Sequence, residues 1–439
     1  MLDKAHSIDW HTLERDSGID REQIEEVGRV LSKSKATIAC WAMGLTQQPN
    51  GVSVIQEVVN LLLMGGHVGR PGAGFCPVRG HSNVQGDRTV GIWEAAPVSF
   101  IKKMEQGLNI TIPKEHGYDV VNAIHAMKDG KVDVFFCMGG NFISATPDTF
   151  ATADGLRKVG LTVQVSTKLN RSHLVTGDEA IILPCLGRTE IDVQRSGEQF
   201  VTVENSMGIV HQSRGGLQPA SQHLRSEPWI VSNLSSHLFD DSPLNWLELS
   251  DNYDSIRDLM EISLNGFHDY NTRVRQENGF LLPNPPRDSR SFDTPSGKAQ
   301  FTTHDLPNVS IPSDRFVMMT IRSHDQYNTT IYDVHDRYRG ISGNRRIVLM
   351  NALDMAERGW KNRQIVSISS HFNGEVRTST DWIVVAYDIP RQNVATYFPE
   401  ANSLVPLNST ARISNTPTSK WIEVSLKSEP FEQKGAEEE

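Results

Sequence analysis

The chain has 439 residues, 38% hydrophobic and 22% charged, the balance of a soluble globular protein with room for two or three domains and a sizeable core. A net charge of −10 argues against a general nucleic-acid binder, because phosphate binding runs on concentrated Lys and Arg. No stretch reaches the roughly 18 consecutive apolar residues of a membrane helix, and the opening MLDKAHSIDW has no signal-peptide core. A cytoplasmic chain with no membrane segment is therefore expected.

In chain order, the first clear element is a helix entered at Asp20, with Gln23 three residues on, Ile19 and Ile24 placed as a staple, and Val27 and Leu31 on one face. ATIACWA, residues 36–42, reads as a buried strand, MGLTQQPNG as a loop, and the run through Val54, Ile55, Val58, Leu61 and Leu62 as an apolar helix. GRPGAGFCPVRGHSNVQGD, residues 69–87, carries too much Gly and Pro for helix or strand and is expected to be a long irregular loop. VDVFFCM then reads as a strand, GGNFISATPD as a turn, residues 148–159 as a helix, and LTVQVS and AIILPCL as further strands.

Apolar runs without alternation, separated by helices, imply a parallel sheet covered on both faces. Ligands of such sheets sit beyond the carboxyl ends of the strands, which singles out MGLTQQ, MGGNFIS and STKLNRS. Residues 190–300 show scattered short helices and a Pro-rich connector, LLPNPPRDSR. From Phe316 the runs FVMMTIRS, RIVLMN, QIVSISS, GEVRTST, DWIVVAYD and WIEVSL suggest a small barrel. KGAEEE is expected to be a disordered acidic tail.

Common signatures fail. Gly72-Ala-Gly74 is followed by Phe75, Cys76 and Pro77, which breaks GxGxxG, and there is no P-loop, HExxH or GxSxG. Cys40, Cys76, Cys137 and Cys185 are too far apart in sequence for a local metal or iron–sulfur site and read as reduced thiols. What remains is a set of backbone-rich loops. Glycine lets main-chain N–H groups approach a large anionic, heteroaromatic ligand, and Arg, Asn and Gln add forked hydrogen bonds; a purely structural loop is the alternative.

The segments CWAMGLTQ, LLLMGGHVGRPGAGFCPVRGHSNVQGD, FFCMGGNF, FDTPSGKAQF and MMTIRSHDQY, in this order, resemble the molybdopterin oxidoreductase family, and most closely its formate dehydrogenase alpha-subunit-like branch. The match runs from about Ser17 to Leu426. The resemblance implies an α/β fold: a parallel-sheet, dinucleotide-binding-like domain (1–190), a connecting mixed segment (191–311) and a six-stranded, double-psi-like barrel (312–427). It implies a molybdenum or tungsten ion held by two pterin guanine dinucleotides, clamped between sheet domain and barrel.

Carried over residue by residue, the resemblance makes Arg79 the cation that faces a small anionic substrate such as formate, with Gly80 and Asn83 in the same cavity loop. A guanidinium suits that task because it stays charged and offers a planar fork. His81 stands where related enzymes place Gln, and would either move protons or fix the loop. Met43, Gly44 and Gln47 fall on the first dinucleotide loop, Gly139 and Asn141 on the second, and Thr167 in the third. Arg322, Tyr327, Asn402, Ser419 and Lys420 fall on the barrel's contacts.

Longer family members begin with a region that carries the cysteines of a 4Fe-4S cluster, where present, and the metal-ligating Cys or selenocysteine. Neither motif occurs here, so no metal ligand is assigned, and a truncated or split portion with exposed apolar surface is expected. Such a portion would depend on the missing segment or an electron-acceptor subunit. The rival expectation is a non-catalytic scaffold of the same fold without metal.

Overall fold

The computed structural model describes residues 2–308 and 310–429. The acidic tail expected at the C-terminus lies outside them.

The Asp20 carboxylate accepts from Gln23 N at 2.9 Å and starts the helix Arg21–Lys33, as the capping signal predicts. That helix buries none of its residues; Val27 and Val30 are each 58% exposed. The first strand is Ile38–Trp41, followed by a single turn, Met43–Thr46, and the helix Gly51–Met64. Gly51 is required there, because a Cβ would stand 2.8 Å from the Leu45 carbonyl oxygen and 2.9 Å from that of Thr46.

The Gly-rich run corrects the expectation of a wholly irregular loop. Gly74–Pro77 forms a strand parallel to Ile38–Trp41, and Val84–Thr89 forms a short helix. Gly72 (φ +73°) and Gly74 (φ +137°) turn the chain into the pairing, Gly74 N donates to Thr37 O at 2.9 Å and Val78 N to Trp41 O at 2.8 Å. Pro77 is tolerated because it ends an edge strand that has one neighbour.

Val134–Met138, Leu161–Ser166 and Glu179–Pro184 form a second parallel sheet, in that order. Helices Val120–Lys128 and Thr149–Leu156 pack Ile124, Met127 and Leu156 beneath it. A single sheet covered on both faces, as the sequence suggests, is not what forms. The Ile38–Trp41 pair is a separate sheet, and only the middle strand of the second sheet is buried. Val134, Phe136 and Met138 on one outer strand, and Ile181 and Ile182 on the other, are exposed. The apolar runs are built to be covered, but no described element covers them.

Beyond Pro184 the chain builds a three-stranded antiparallel sheet (Val201–Glu204, Ile209–Ser213, Phe280–Leu281) with helices including Glu227–Leu238 and Tyr253–Ser263. Phe200, Phe267, Tyr270 and Phe280 form its core. The Pro-rich connector contains one helical turn, Pro285–Ser289, capped by Asn284.

The C-terminal part is a closed six-stranded barrel in the order Phe316–Ile321, Asn393–Tyr397, Ile347–Met350, Glu375–Ala386, Ile365–Phe372, Ile422–Ser428. The first two strands, and the third and fourth, pair in parallel; the other pairings are antiparallel. Met318, Val348, Ile368, Trp382 and Val394 fill it and are fully buried. Two of the predicted runs, GEVRTST and DWIVVAYD, are one strand: Asp381 takes φ +62° and the pairing with Ile365–Phe372 shifts between Val366 and Ile368, so the ladder absorbs the polar interruption. The sixth strand is instead Asn393–Tyr397, hidden in the sequence between Pro390 and Pro399.

Candidate functional site

Two strand ends deliver the first loops. Trp41 leads into the Met43–Thr46 turn, where Met43 O accepts from Gln47 N at 3.1 Å. Gly44 has open space around it, and Gln48 Nε2 donates to its carbonyl at 3.0 Å. The barrel reaches this turn directly, since Lys420 N donates to Gln47 O at 3.0 Å and Arg412 N to Pro49 O at 3.1 Å.

Val78 leaves the paired strand for Arg79. Arg79 Nε donates to Gln85 Oε1 at 2.9 Å and its backbone N–H to Ser206 Oγ at 3.3 Å. The guanidinium lines a cavity of about 690 Å³ with Gln85, Glu204, Ser206 and Arg287. Gly80 has no atom near its Cβ position. Asn83 works locally: its Oδ1 accepts from Glu204 N at 3.0 Å and ties the loop to the Val201–Glu204 strand. His81 lies 6.2 Å from the Tyr327 ring, centroid to centroid, so the Gly-rich loop meets the barrel's Gln326–Tyr327 hairpin strand.

The second loop turns at Gly139 (φ +69°) and Gly140 (φ +78°), a conformation that favours glycine. Gly139 N donates to Val165 O at 2.7 Å, and Asn141 Oδ1 accepts from Ser172 Oγ at 3.1 Å. Close by, the buried Nε2 of His173 has no partner. Glu227 approaches Gly139, and its carboxyl pKa is raised by burial and then by the charge of Asp87. Asp87, whose carboxyl is also raised by burial, feels His81. Thr167 is exposed just after the Leu161–Ser166 strand.

On the barrel, Arg322 and Lys420 stand out. Both are half-buried, and neither forms an ion pair among the described residues. The Lys420 ammonium donates to Thr320 O, and burial, then the nearby Arg322 charge, pulls its pKa down to about 8. Burial also lowers the Arg322 pKa, and its guanidinium sits 4.2 Å over the Phe398 ring. Ser419 O accepts from Thr320 N at 2.9 Å and holds the turn. Two desolvated cations facing each other without a carboxylate make a donor set suited to an anionic group.

Asn402 lies on the barrel side of the seam with the α/β region. It is buried, and its Nδ2 donates to Ser144 O at 2.6 Å and Thr146 O at 3.1 Å. With Arg377 Nε donating to Asp148 Oδ2 at 2.7 Å, it fastens the barrel to the segment after Asn141. Its Nδ2 is thus engaged with protein carbonyls at the seam. The structure thus joins the Gln47 carbonyl, Lys420 and Arg322 in one cluster and brings His81 beside Tyr327.

Sequence reasoning missed Gln85, Glu204 and Ser206. Glu204 is 6% exposed, its Oε2 lacks a partner, and burial raises its pKa, with Thr89 and Gln85 as opposing hydrogen-bond donors. It borders both the 690 Å³ cavity and a neighbouring one of about 350 Å³. Gln85 lay in view within the Gly-rich loop; Glu204, on a strand from an unreadable region, gave no local signal.

Loops from a parallel α/β region, completed by a turn of a closed barrel, define a two-part binder of a large anionic cofactor. Comparison with known proteins specifies it: the family model "Molybdopterin oxidoreductase" matches residues 20–236, and "Molydopterin dinucleotide binding domain" matches residues 316–423. The chain belongs to the molybdopterin oxidoreductase family.

An uncharacterized oxidoreductase of Mycobacterium tuberculosis is 51% identical over 416 residues, covering 93% of this chain and 53% of the relative. Protein YdeP of Escherichia coli is 42% identical over 425 residues, covering 95% and 56%. The relative named "Putative formate dehydrogenase YrhE", of Bacillus subtilis, is 25% identical over 243 residues, covering 54% of this chain and 23% of that one. The chain therefore spans about half the length of the relatives it matches over most of its own length. Among solved structures, acetylene hydratase from Pelobacter acetylenicus superposes with a TM-score of 0.61 over 93% of this chain and 63% of its own, at 12% identity, which bears on the fold alone. No helix among the described residues is long and apolar enough to cross a membrane.

Proposed function

We propose that this chain is the cofactor-binding and substrate-cavity portion of a molybdenum oxidoreductase that acts on formate or a similarly small anion. The observation that carries the reading is the pair Arg322 and Lys420, two half-buried cations that form no ion pair among the described residues. An anionic pterin dinucleotide would supply the missing charge. The backbone turns at Met43–Gln47 and Gly139–Asn141 would hold the remainder of a bis(molybdopterin guanine dinucleotide) group, with Ser419 fixing the barrel turn.

When bound, such a group supplies two-electron redox chemistry at the metal. The protein's share is binding and orientation. Arg79, steadied through Nε by Gln85, keeps its terminal nitrogens for the fork of a small carboxylate. His81, beside Tyr327 and within the field of Asp87, would take up or release a proton at an imidazole nitrogen.

The exposed sheet faces support a further element of the proposal: a complementary polypeptide covers Val134–Met138 and Glu179–Pro184 and brings any metal-ligating side chain or 4Fe-4S cluster. The test is elemental and nucleotide analysis of chain purified from a molybdate-fed host, alone and co-expressed with the remaining half of a relative such as YdeP. Molybdenum accompanied by a pair of guanine nucleotides supports the reading. Neither metal nor nucleotide in either preparation would leave the scaffold alternative.

A further inference from the structure

Ile38–Trp41 and Gly74–Pro77 pair in parallel with Cys40 directly opposite Cys76. Paired residues on adjacent strands send their side chains to the same face, and adjacent strands lie about 4.8 Å apart. That spacing falls inside the roughly 4.4–6.8 Å between α-carbons that a disulfide spans. The thiols themselves are close: after burial, the largest influences on Cys76 are the charge and hydrogen bonding of Cys40.

The remaining thiols are placed differently. Cys137 Sγ donates to Gly139 O at 3.2 Å, and Cys185 is buried, with its pKa pushed up to about 11 by burial and then by Glu227 and Glu190. Cys40 is exposed and Cys76 half-buried, and all four are free.

We propose that Cys40 and Cys76 form a reversible intrachain disulfide, a thiol-modification site at the root of both cavity loops. The oxidant class is a small-molecule disulfide such as oxidised glutathione. Cys40 is the accessible nucleophile: its thiolate attacks one sulfur of the small disulfide, a mixed disulfide forms, and one small thiolate leaves. Cys76 then gives up its proton and attacks Cys40 Sγ, and the second small thiol departs. Two electrons pass from the protein to the small disulfide, and the released thiolates take up the two protons.

The position gives the bond a consequence. One residue past Cys40 the chain reaches Trp41 and then the Met43 turn; two residues past Cys76 it reaches Val78 and then Arg79, whose charge already acts on Cys76. A bridge at that level joins two short strands that otherwise have only each other as neighbours, and it fixes the starting points of both loops relative to each other.

The experiment treats the 439-residue chain with oxidised glutathione under native conditions, blocks remaining thiols, and maps peptides without reduction. The expected result is a fall from four free thiols to two, a Cys40–Cys76 linked peptide in the monomer, and return to four on adding excess reduced thiol. Cys137→Ser and Cys185→Ser variants lose the same two thiols, whereas Cys40→Ser and Cys76→Ser do not form the bridge. Four thiols retained, glutathione left on Cys40 without bridging, or disulfides only between chains would overturn the proposal. Because the linked peptide is sought in the unmutated chain, poor folding of a Ser variant does not blunt the test.

Discussion

The barrel and the parallel sheets are assembled from similar apolar runs, yet they end in opposite states. The barrel pairs every strand on both sides, so Met318, Val348, Ile368 and Trp382 reach full burial with no help from outside. The parallel strands stop at open edges: Ile38 is 53% exposed and Val134 55%, and the helix Arg21–Lys33 buries none of its residues, with Val27 and Val30 each 58% exposed. A closed sheet completes itself, while an open one needs a partner to finish it. The cofactor site proposed here draws on both, with its charges on the finished side and its backbone turns on the unfinished one.

The contrast is broken most severely at Trp382. Trp382→Ala empties the barrel core and removes the indole donor to Ser379 Oγ, and should cost about 3–5 kcal/mol in urea unfolding. Val27→Ala on the uncovered helix should stay within about 0.5 kcal/mol. Comparable losses at the two positions would erase the distinction.

A smaller effect is expected at the seam. Asp148 both pairs with Arg377 and accepts from Ala151 N at 3.2 Å at the start of the Thr149–Leu156 helix. Asp148→Asn keeps much of the cap and loses the charge pair; Asp148→Ala loses both and should cost about 2–3 kcal/mol. The difference between the two variants in the same unfolding assay separates cap from ion pair. Amide exchange sharpens the comparison from the other side: Val134–Met138 should exchange faster than Ile347–Met350 in the chain alone and slow on co-expression with the complementary half.

Lys420 gives the subtlest change, and one of opposite signs. Its folded pKa, about 8, lies below the ordinary lysine value of 10.5, so the unfolded chain holds that proton more tightly. Its contribution to folding is therefore unfavourable below about pH 8 and is relieved as pH rises toward 10.5. Lys420→Met should slightly stabilise the ligand-free chain at neutral pH, remove this rise, and weaken anion binding. Thermal unfolding across that pH window checks it.

Much of this was legible in the residues. Asp20 and Gln23 announce their cap, GGNFISATPD its turn, and the family resemblance singles out Arg322 and Lys420. Local patterning failed where distant chain supplies the context. Gly74–Pro77 is a strand because Ile38–Trp41 lies beside it, Asn393–Tyr397 is one because the barrel closes through it, and Asp381 sits mid-strand because its own strand bulges there against Ile365–Phe372. Glu204 and the committed amide of Asn402 depend on contacts 121 and more than 250 residues away in sequence, which no window along the chain encloses.

The central claim is that Arg322 and Lys420 form an anion site shared between barrel and first loop. Calorimetric titration of the chain with inorganic pyrophosphate, below and above about pH 8, tests it directly against the Arg322→Ala/Lys420→Met variant. The account predicts binding by the native chain that weakens as pH rises through that value, and loss of binding in the variant. Equal binding by both proteins, or binding indifferent to pH, would contradict it.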